Sequence, residues 1–451
     1  MNISNGSATS KVGAHKALSA DGLIKALRTS FEVIDDPFPG DPEIPLADAL
    51  MSAYAVFSLK APSLLDFERR RTTEESNLKS IYGMTAIPCD TQMRARLDEV
   101  DPDSLRPAYK AVFNKAEQEK ILENMVFLDG CVLISNDGTG YFSSDKLHSP
   151  VCLEKKNSKT GQITYHLQML GSAIVHPDRK EVIPLPPEPI RKQDGANKND
   201  CERNASRRWL QKFRQDHPHL KVIIVEDGLG SNAPHIRDLQ EHRCHFILGS
   251  KEGDHAYLSA CLDKATARGE TTEFDVPDPK DPKVRHFFRF ANGLPLNESN
   301  QDILVNTLEY WEIRGEARKY FCWVTDLTIT TENAYQIMRG GRARWKVENE
   351  TFNTLKNQGY HIEHNYGLGK KNLSMVFVTL MMLAFLVDQI LQMSPSSLFS
   401  AALKKAGTKR DLWEKARAAF YFFEVPSMET IYRLILAGRQ KIVFPIIEDS
   451  S

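Results

Sequence analysis

Three absences shape the reading of this 451-residue chain. There is no excess of positive charge: 58 Lys and Arg stand against 59 Asp and Glu, a formal net charge of −1. Proteins that hold nucleic acid by bulk electrostatics carry a basic excess, so any phosphate binding here has to come from local patches. The seven cysteines are scattered without CxxC spacing, which argues against a disulfide framework and a paired-thiol zinc site and implies a reducing, cytoplasmic setting. Long apolar runs are also missing. Leu373 to Val387 is stopped by Asp388, short of the roughly 18 to 20 residues a bilayer crossing needs; a buried core helix is expected, with no membrane partner. Residues 1–20 have no apolar signal-peptide block and, rich in Ser, Ala, Asn and Gly, read as a disordered tail.

What is present divides by periodicity. Over 21–124, Leu23, Ile24, Leu27 and Phe31, then Leu46, Leu50, Tyr54 and Phe57, recur at helical spacing, which predicts an all-α N-terminal domain, and the run Glu68 to Arg71 makes it the DNA-binding candidate. From Met125 the pattern turns extended: Val126 to Leu128, Val132 to Ile134, Tyr141 to Phe142 and Ile163 to Val175 are rich in β-branched and aromatic residues. Helical spacing returns at Cys201 to Gln215, an apolar strand follows at His219 to Val225, and Ala233 to His242 is helical again. This alternation predicts an α/β core in two parts, 125–252 and 318–395, separated by a mostly β insertion over 253–317. The segment 396–451 reads as a C-terminal helical region.

Three acids stand out by position. Asp137 follows an apolar run and enters a Gly-bracketed stretch, Asn136-Asp137-Gly138-Thr139-Gly140, read as a strand end with Tyr141 to Ser144 as its hairpin partner. Asp227 follows Val222 to Val225 and precedes Gly228. Glu348 lies in a helical stretch, one turn after Arg344 on the same face. Carboxylates brought together from distant segments can hold two divalent ions, one activating a nucleophile and one stabilising a leaving oxygen, and hard oxygen ligands suit Mg²⁺. Each acid has a plainer meaning: Asp-Gly is usually a turn, and Arg344 with Glu348 an ordinary ion pair. Asp129, in Leu128-Asp129-Gly130, competes with Asp137. Glu350 competes with Glu348, although two residues along a helix point about 200° apart.

Asp137-Gly138-Thr139 with Tyr141-Phe142-Ser143-Ser144, then Glu226-Asp227-Gly228-Leu229, then Gly341 through Asn349 in that order resemble bacterial insertion-sequence transposases of the DDE, cut-and-paste type. The resemblance implies an RNase H-like mixed sheet flanked by helices. It implies Asp137, Asp227 and Glu348 as catalytic metal ligands for two Mg²⁺ or Mn²⁺ ions, and cleavage and strand transfer of DNA at element terminal inverted repeats into target DNA. It also implies a homodimer on DNA in a bacterial, nucleoid-associated setting. A Tyr, Arg, Glu, Lys signature accompanies this branch; its Arg and Glu fall on Arg344 and Glu348, its tyrosine position on Gly341, and its lysine position on Leu355, with Lys356 one residue late. DNA contacts are therefore expected from Arg344, Lys356, Arg342 and Arg207, the last on a face shared with Arg203 and Arg214. Trp311 and Trp323 are candidates to stack on an unpaired base. Two other readings remain open: a transposase-derived DNA-binding protein that does not cut, and an RNase H-like nuclease without strand transfer.

Overall fold

The computed structural model describes residues 18–38, 42–192, 201–250, 253 and 255–439. Residues 1–17 of the expected tail therefore lie outside the described residues, while Leu18 and Ala20 beyond them are buried. Helices come first: α1 (Ala20–Glu32), α2 (Leu46–Ser58), α3 (Leu64–Arg70), α4 (Glu75–Tyr82), α5 (Asp90–Asp98) and α6 (Arg106–Gln118). The hydrophobic stripes of α1 and α2 pack on one another and on α12 (Leu373–Met393). That 21-residue helix is long and apolar enough to cross a membrane, yet it is buried in the fold between α2 and β5 (Ile183–Ile190). Each large apolar side chain it buries contributes about 1.5–3 kcal/mol.

The sheet begins with β1 (Val126–Leu128), β2 (Cys131–Ser144), β3 (Leu153–Lys156) and β4 (Ile163–Val175), followed by β5. After β5 come α7 (Glu202–Asp216), β6 (Val222–Glu226), α8 (Ala233–Glu241), β7 (His245–Gly249) and α9 (Ala256–Ala267). The remaining strands are β8 (Thr272–Pro277), β9 (Val284–Asn297), β10 (Asn300–Arg314) and β11 (Ala317–Thr325). All belong to one mixed sheet ordered β3-β4-β2-β6-β7-β11-β10-β9-β8, with β1 on β2 and β5 on β4. β2, β6 and β7 run parallel, while β4 is antiparallel to β2. Val222 to Val225 are all buried, as a parallel strand covered on both faces requires. Strands β8 to β10, in the segment expected as an insertion, are hydrogen-bonded into this same sheet through β11.

One sequence expectation fails here. Asp137 does not sit at a strand end, and Tyr141 to Ser144 is not its hairpin partner: β2 runs unbroken through the glycines, and its antiparallel partner is β4. The glycines serve packing, not turning. A Cβ at Gly138 would overlap the Glu202 carboxylate, so α7 closes onto the strand at the point where a side chain is missing. The true turn is at Asp129-Gly130, both with positive φ (51° and 77°), joining β1 to β2.

The chain closes with α10 (Ala334–Arg342), a π-helical turn (Val347–Phe352), α11 (Asn353–Asn357), the buried α12, and α13 (Leu398–Ala406), α14 (Lys409–Phe422) and α15 (Met428–Ala437). The last three pack with α1 and α12, so the first and last helices of the chain share one layer.

Candidate active site

The ladder between β2 and β4 sets the geometry. Asp137 lies directly opposite Gly171, and the Phe352 ring occupies the space a Gly171 side chain would fill. Two residues before Asp137 on the same strand face, the Ser135 hydroxyl donates to the Arg344 carbonyl at 2.9 Å. These two contacts pin the segment from Arg344 to Phe352 over Asp137, and Glu348 falls between them. A π-helical turn at Val347–Phe352, a feature frequent at functional sites, marks this stretch.

Three charges then meet. Arg344 Nη1 stands 2.8 Å from Glu348 Oε1 and 3.6 Å from Asp137 Oδ2. The Asp137 and Glu348 carboxyls are within hydrogen-bonding reach of each other. Burial, then the hydrogen bond and charge of Glu348, push the Asp137 carboxyl up to about 7 against the opposing pull of Arg344. Asp227 arrives from the neighbouring strand. The parallel register aligns Ser135 with Val225, which brings Asp137 level with Asp227, just past the end of β6. One Asp227 oxygen, Oδ1, accepts from the Leu229 N–H at 2.9 Å and so holds the carboxylate in place.

The rivals are elsewhere. Asp129 lies eight residues from Asp137, about 26 Å along an extended strand, in a turn at the opposite end of β2. Glu350 acts on Lys409 of α14 and is not among the charges acting on Asp137.

Asn136, Asp137, Glu202, Ser206, Asp227 and His235 line a cavity of about 480 Å³. At its floor Glu226 Oε1 accepts from Asn136 Nδ2 at 2.9 Å, and Glu226 Oε2 lies 2.8 Å from His235 Nε2. Burial opposes ionisation of both groups, yet their mutual attraction prevails: Glu226 is held below the usual carboxylate range and His235 above the usual imidazole range. Among the described residues no group of three or more His, Cys, Asp or Glu side chains is gathered as a metal site. The donor set nevertheless suits a hydrated hard cation, which keeps several waters and takes one or two carboxylates per ion. Two carboxyls of like charge held this close are a place where a divalent cation would bind.

A second pocket, of about 360 Å³, opens on the other side of Asp227 and is lined by Tyr320, Trp323, Gly341, Arg342, Arg344 and Trp345. Trp323 is thus brought to the acids, although it is only 5% exposed. Its indole fills the space a side chain at Gly341 would need, a steric reason why no tyrosine stands at that position. Trp345, half-exposed with the Arg344 guanidinium 4.2 Å above its ring, is the aromatic that sequence reasoning passed over. Trp311 does not line either pocket; it packs with Phe287 and Tyr320.

The predicted cations are mostly engaged within the protein. Arg342 pairs with Glu312 at 2.6 Å, Arg207 with Asp238 at 3.0 Å, and Lys356 with Glu363 at 2.9 Å. Leu355, at the expected lysine position, is fully buried, so a cation on that turn has to come from Lys356. Arg214 donates to the carbonyls of His217, Leu220, His242 and Arg243, which makes it a brace for the α7 end and not a phosphate ligand. On α7 it is Arg203, not Arg207, that lines the acid cavity.

With this geometry in view, the model of the transposase DDE domain family matches residues 155–386, just over half of the chain. The matched stretch includes Asp227, Arg344 and Glu348 and begins after Asp137. No curated protein matches the chain.

Proposed function

The chain belongs to the transposase DDE domain family, and from that membership we infer that it is an active transposase that binds the terminal inverted repeats of a mobile element and cuts and joins DNA strands. The observation that carries this reading is that Asp137 and Asp227, on neighbouring strands, line one open cavity, while Glu348, on a third element, shares Arg344 with Asp137. The sheet supports an RNase H-like core: antiparallel β4 and β2 lead into parallel β6 and β7, and helices make the crossovers.

Asp137, Asp227 and Glu348 would hold two Mg²⁺ or Mn²⁺ ions, which when bound supply an activated water and charge neutralisation at the leaving oxygen. Arg344 then turns from neutralising carboxylates to binding the phosphate. Trp345 and Tyr320 offer faces for an unpaired base beside the cut, with the buried Trp323, stacked on Phe321, behind them. Arg342, and Lys356 once released from Glu363, would bind the DNA backbone, with Arg207 contributing further along α7. A groove of about 930 Å³ that includes Lys155, Lys156 and Gln168 adjoins the acid cavity through Gln168 and gives the strand a path away from the site. The protein would act as a homodimer on paired ends, on the nucleoid of a bacterial cytoplasm.

The test is incubation with Mg²⁺ and a supercoiled plasmid carrying the flanking repeats. Cleaved and joined products are expected, lost in Glu348→Gln and retained in Glu350→Gln. Binding without cleavage would overturn the enzymatic reading; cleavage without joining would make the protein a nuclease.

A further inference from the structure

Besides Asp137 and Asp227 the cavity is lined by Glu226, which His235 pairs, and by Glu202, which no cation among the described residues pairs. Glu202 opens α7, and its carboxylate lies where a Gly138 side chain would be, on the face of β2 shared with Asn136 and opposite the Asp137 side chain. The charges acting on it are those of Asp227 and Glu226, both of its own sign, and it in turn acts on Asp137. Among the described residues no Lys, Arg or His stands within 4.0 Å of it. Arg344 serves Asp137 and Glu348 only. A half-buried carboxylate facing two others without a cation costs folding free energy, and such an arrangement is compensated when a cation binds.

A second observation points to the same place. Asn136 and Ser206 line this cavity and are only 5% and 6% exposed, yet Asn136 Oδ1 and Ser206 Oγ have no hydrogen-bond partner. Ser206 is one turn after Glu202 on the same face of α7. Buried polar oxygens are satisfied in almost all proteins, and an ion with its waters would satisfy these.

We propose that Glu202 is a fourth carboxylate of the cation site, holding one of the two divalent ions together with Asp227 on the side of the cavity not served by Arg344. The proposal rests on the two-ion reading above and adds a ligand to it. It also accounts for Gly138: the glycine leaves room for the Glu202 carboxylate.

Counting Mn²⁺ bound to the full-length chain, from the electron paramagnetic resonance signal of the free ion, tests this directly. The wild type is expected to bind two ions. Glu202→Gln is expected to keep one and to bind the other at least about tenfold more weakly. Gly138→Ala should do the same, because its methyl group displaces the same carboxylate. In EDTA, Glu202→Gln should melt no lower than the wild type, since it removes an unpaired like charge. Two ions bound equally well by the wild type and Glu202→Gln would overturn the role of Glu202 and leave the two-ion reading standing. No ion bound by the wild type would overturn both, and a lower melting temperature of Glu202→Gln in EDTA would make Glu202 a structural residue instead.

Discussion

Around Lys60, just after α2, the buried charge is surrounded by everything it needs, whereas around Asp137 buried charge of one sign accumulates. The Lys60 ammonium is 2.7 Å from Asp388 Oδ2 and 3.2 Å from the Ser58 carbonyl, and it lies over the rings of Tyr360 and Trp413 at 4.2 and 4.0 Å. The Tyr360 hydroxyl donates to the same Asp388 oxygen. One cation meets one anion, and the network joins α2, α12 and α14 into a single helical layer. At the acid site, Arg344 pairs with Asp137 and Glu348, while the charges acting on Glu202 are those of Asp227 and Glu226. The closed network stabilises the fold; the open one leaves charge for something that binds.

Removing a carboxylate from each region should separate these roles. The largest effect falls on activity: Asp137→Asn and Asp227→Asn should each lower Mg²⁺-dependent cleavage by about a thousandfold or more without unfolding the chain. Asp129→Asn, in the distant turn, should cleave normally. In the closed network the cost is in stability instead. Asp388→Leu leaves Lys60 buried and unpaired and should lose about 3–5 kcal/mol in denaturant melts, with much of it recovered in the double variant Lys60→Met, Asp388→Leu.

Charge pressure at the open site has a pH signature of its own. The Asp137 carboxyl is raised from its usual value to about 7, so between those values the folded chain binds more protons than the unfolded one. Stability therefore falls as pH rises through that window, and the penalty is complete above it. In EDTA at alkaline pH, Asp137→Asn should be more stable than the wild type by about 2 kcal/mol, because the relief of repulsion is partly offset by the lost contact with Arg344. At a pH below the usual carboxylate value the difference should vanish.

The smallest expected effect concerns the floor of the cavity. Glu226 is lowered and His235 raised. The Glu226 contribution is lost as pH falls through its folded value; the His235 contribution is complete below the ordinary imidazole value and lost as pH rises through its folded one. His235→Gln should thus cost most in mildly acidic buffer, about 1–2 kcal/mol, and less at alkaline pH.

The two regions also differ in how well the chain announces them. Asp227 is legible because a run of buried β-branched residues ends two positions before it, and Glu348 because Arg344 precedes it by one helical turn. The strand-end reading of Asp137 is mistaken. Asn-Asp-Gly-Thr-Gly reads locally as a turn, and only the β4 partner, the Phe352 ring and the Glu202 carboxylate, all distant in sequence, keep it extended. β5 went unrecognised because Pro184, Pro186, Pro187 and Pro189 suppress strand propensity; they are tolerated because β5 pairs with β4 alone and lies at an edge. Glu202 was passed over because an acid in the first turn of a helix is ordinary, and what makes it unusual is the missing side chain across from it at Gly138. The pairing of Lys60 with Asp388 spans 328 residues, and nothing local in either neighbourhood hints at it.

Mg²⁺-dependent melting of the full-length chain tests most directly whether the acid cavity is the open site. The account predicts that saturating Mg²⁺ stabilises the wild type, by about 2.7 kcal/mol at a hundred times the dissociation constant. The Lys60→Met, Asp388→Leu double variant should gain as much, and Glu348→Gln and Asp137→Asn should gain far less. Equal stabilisation of Asp137→Asn and the wild type would contradict it.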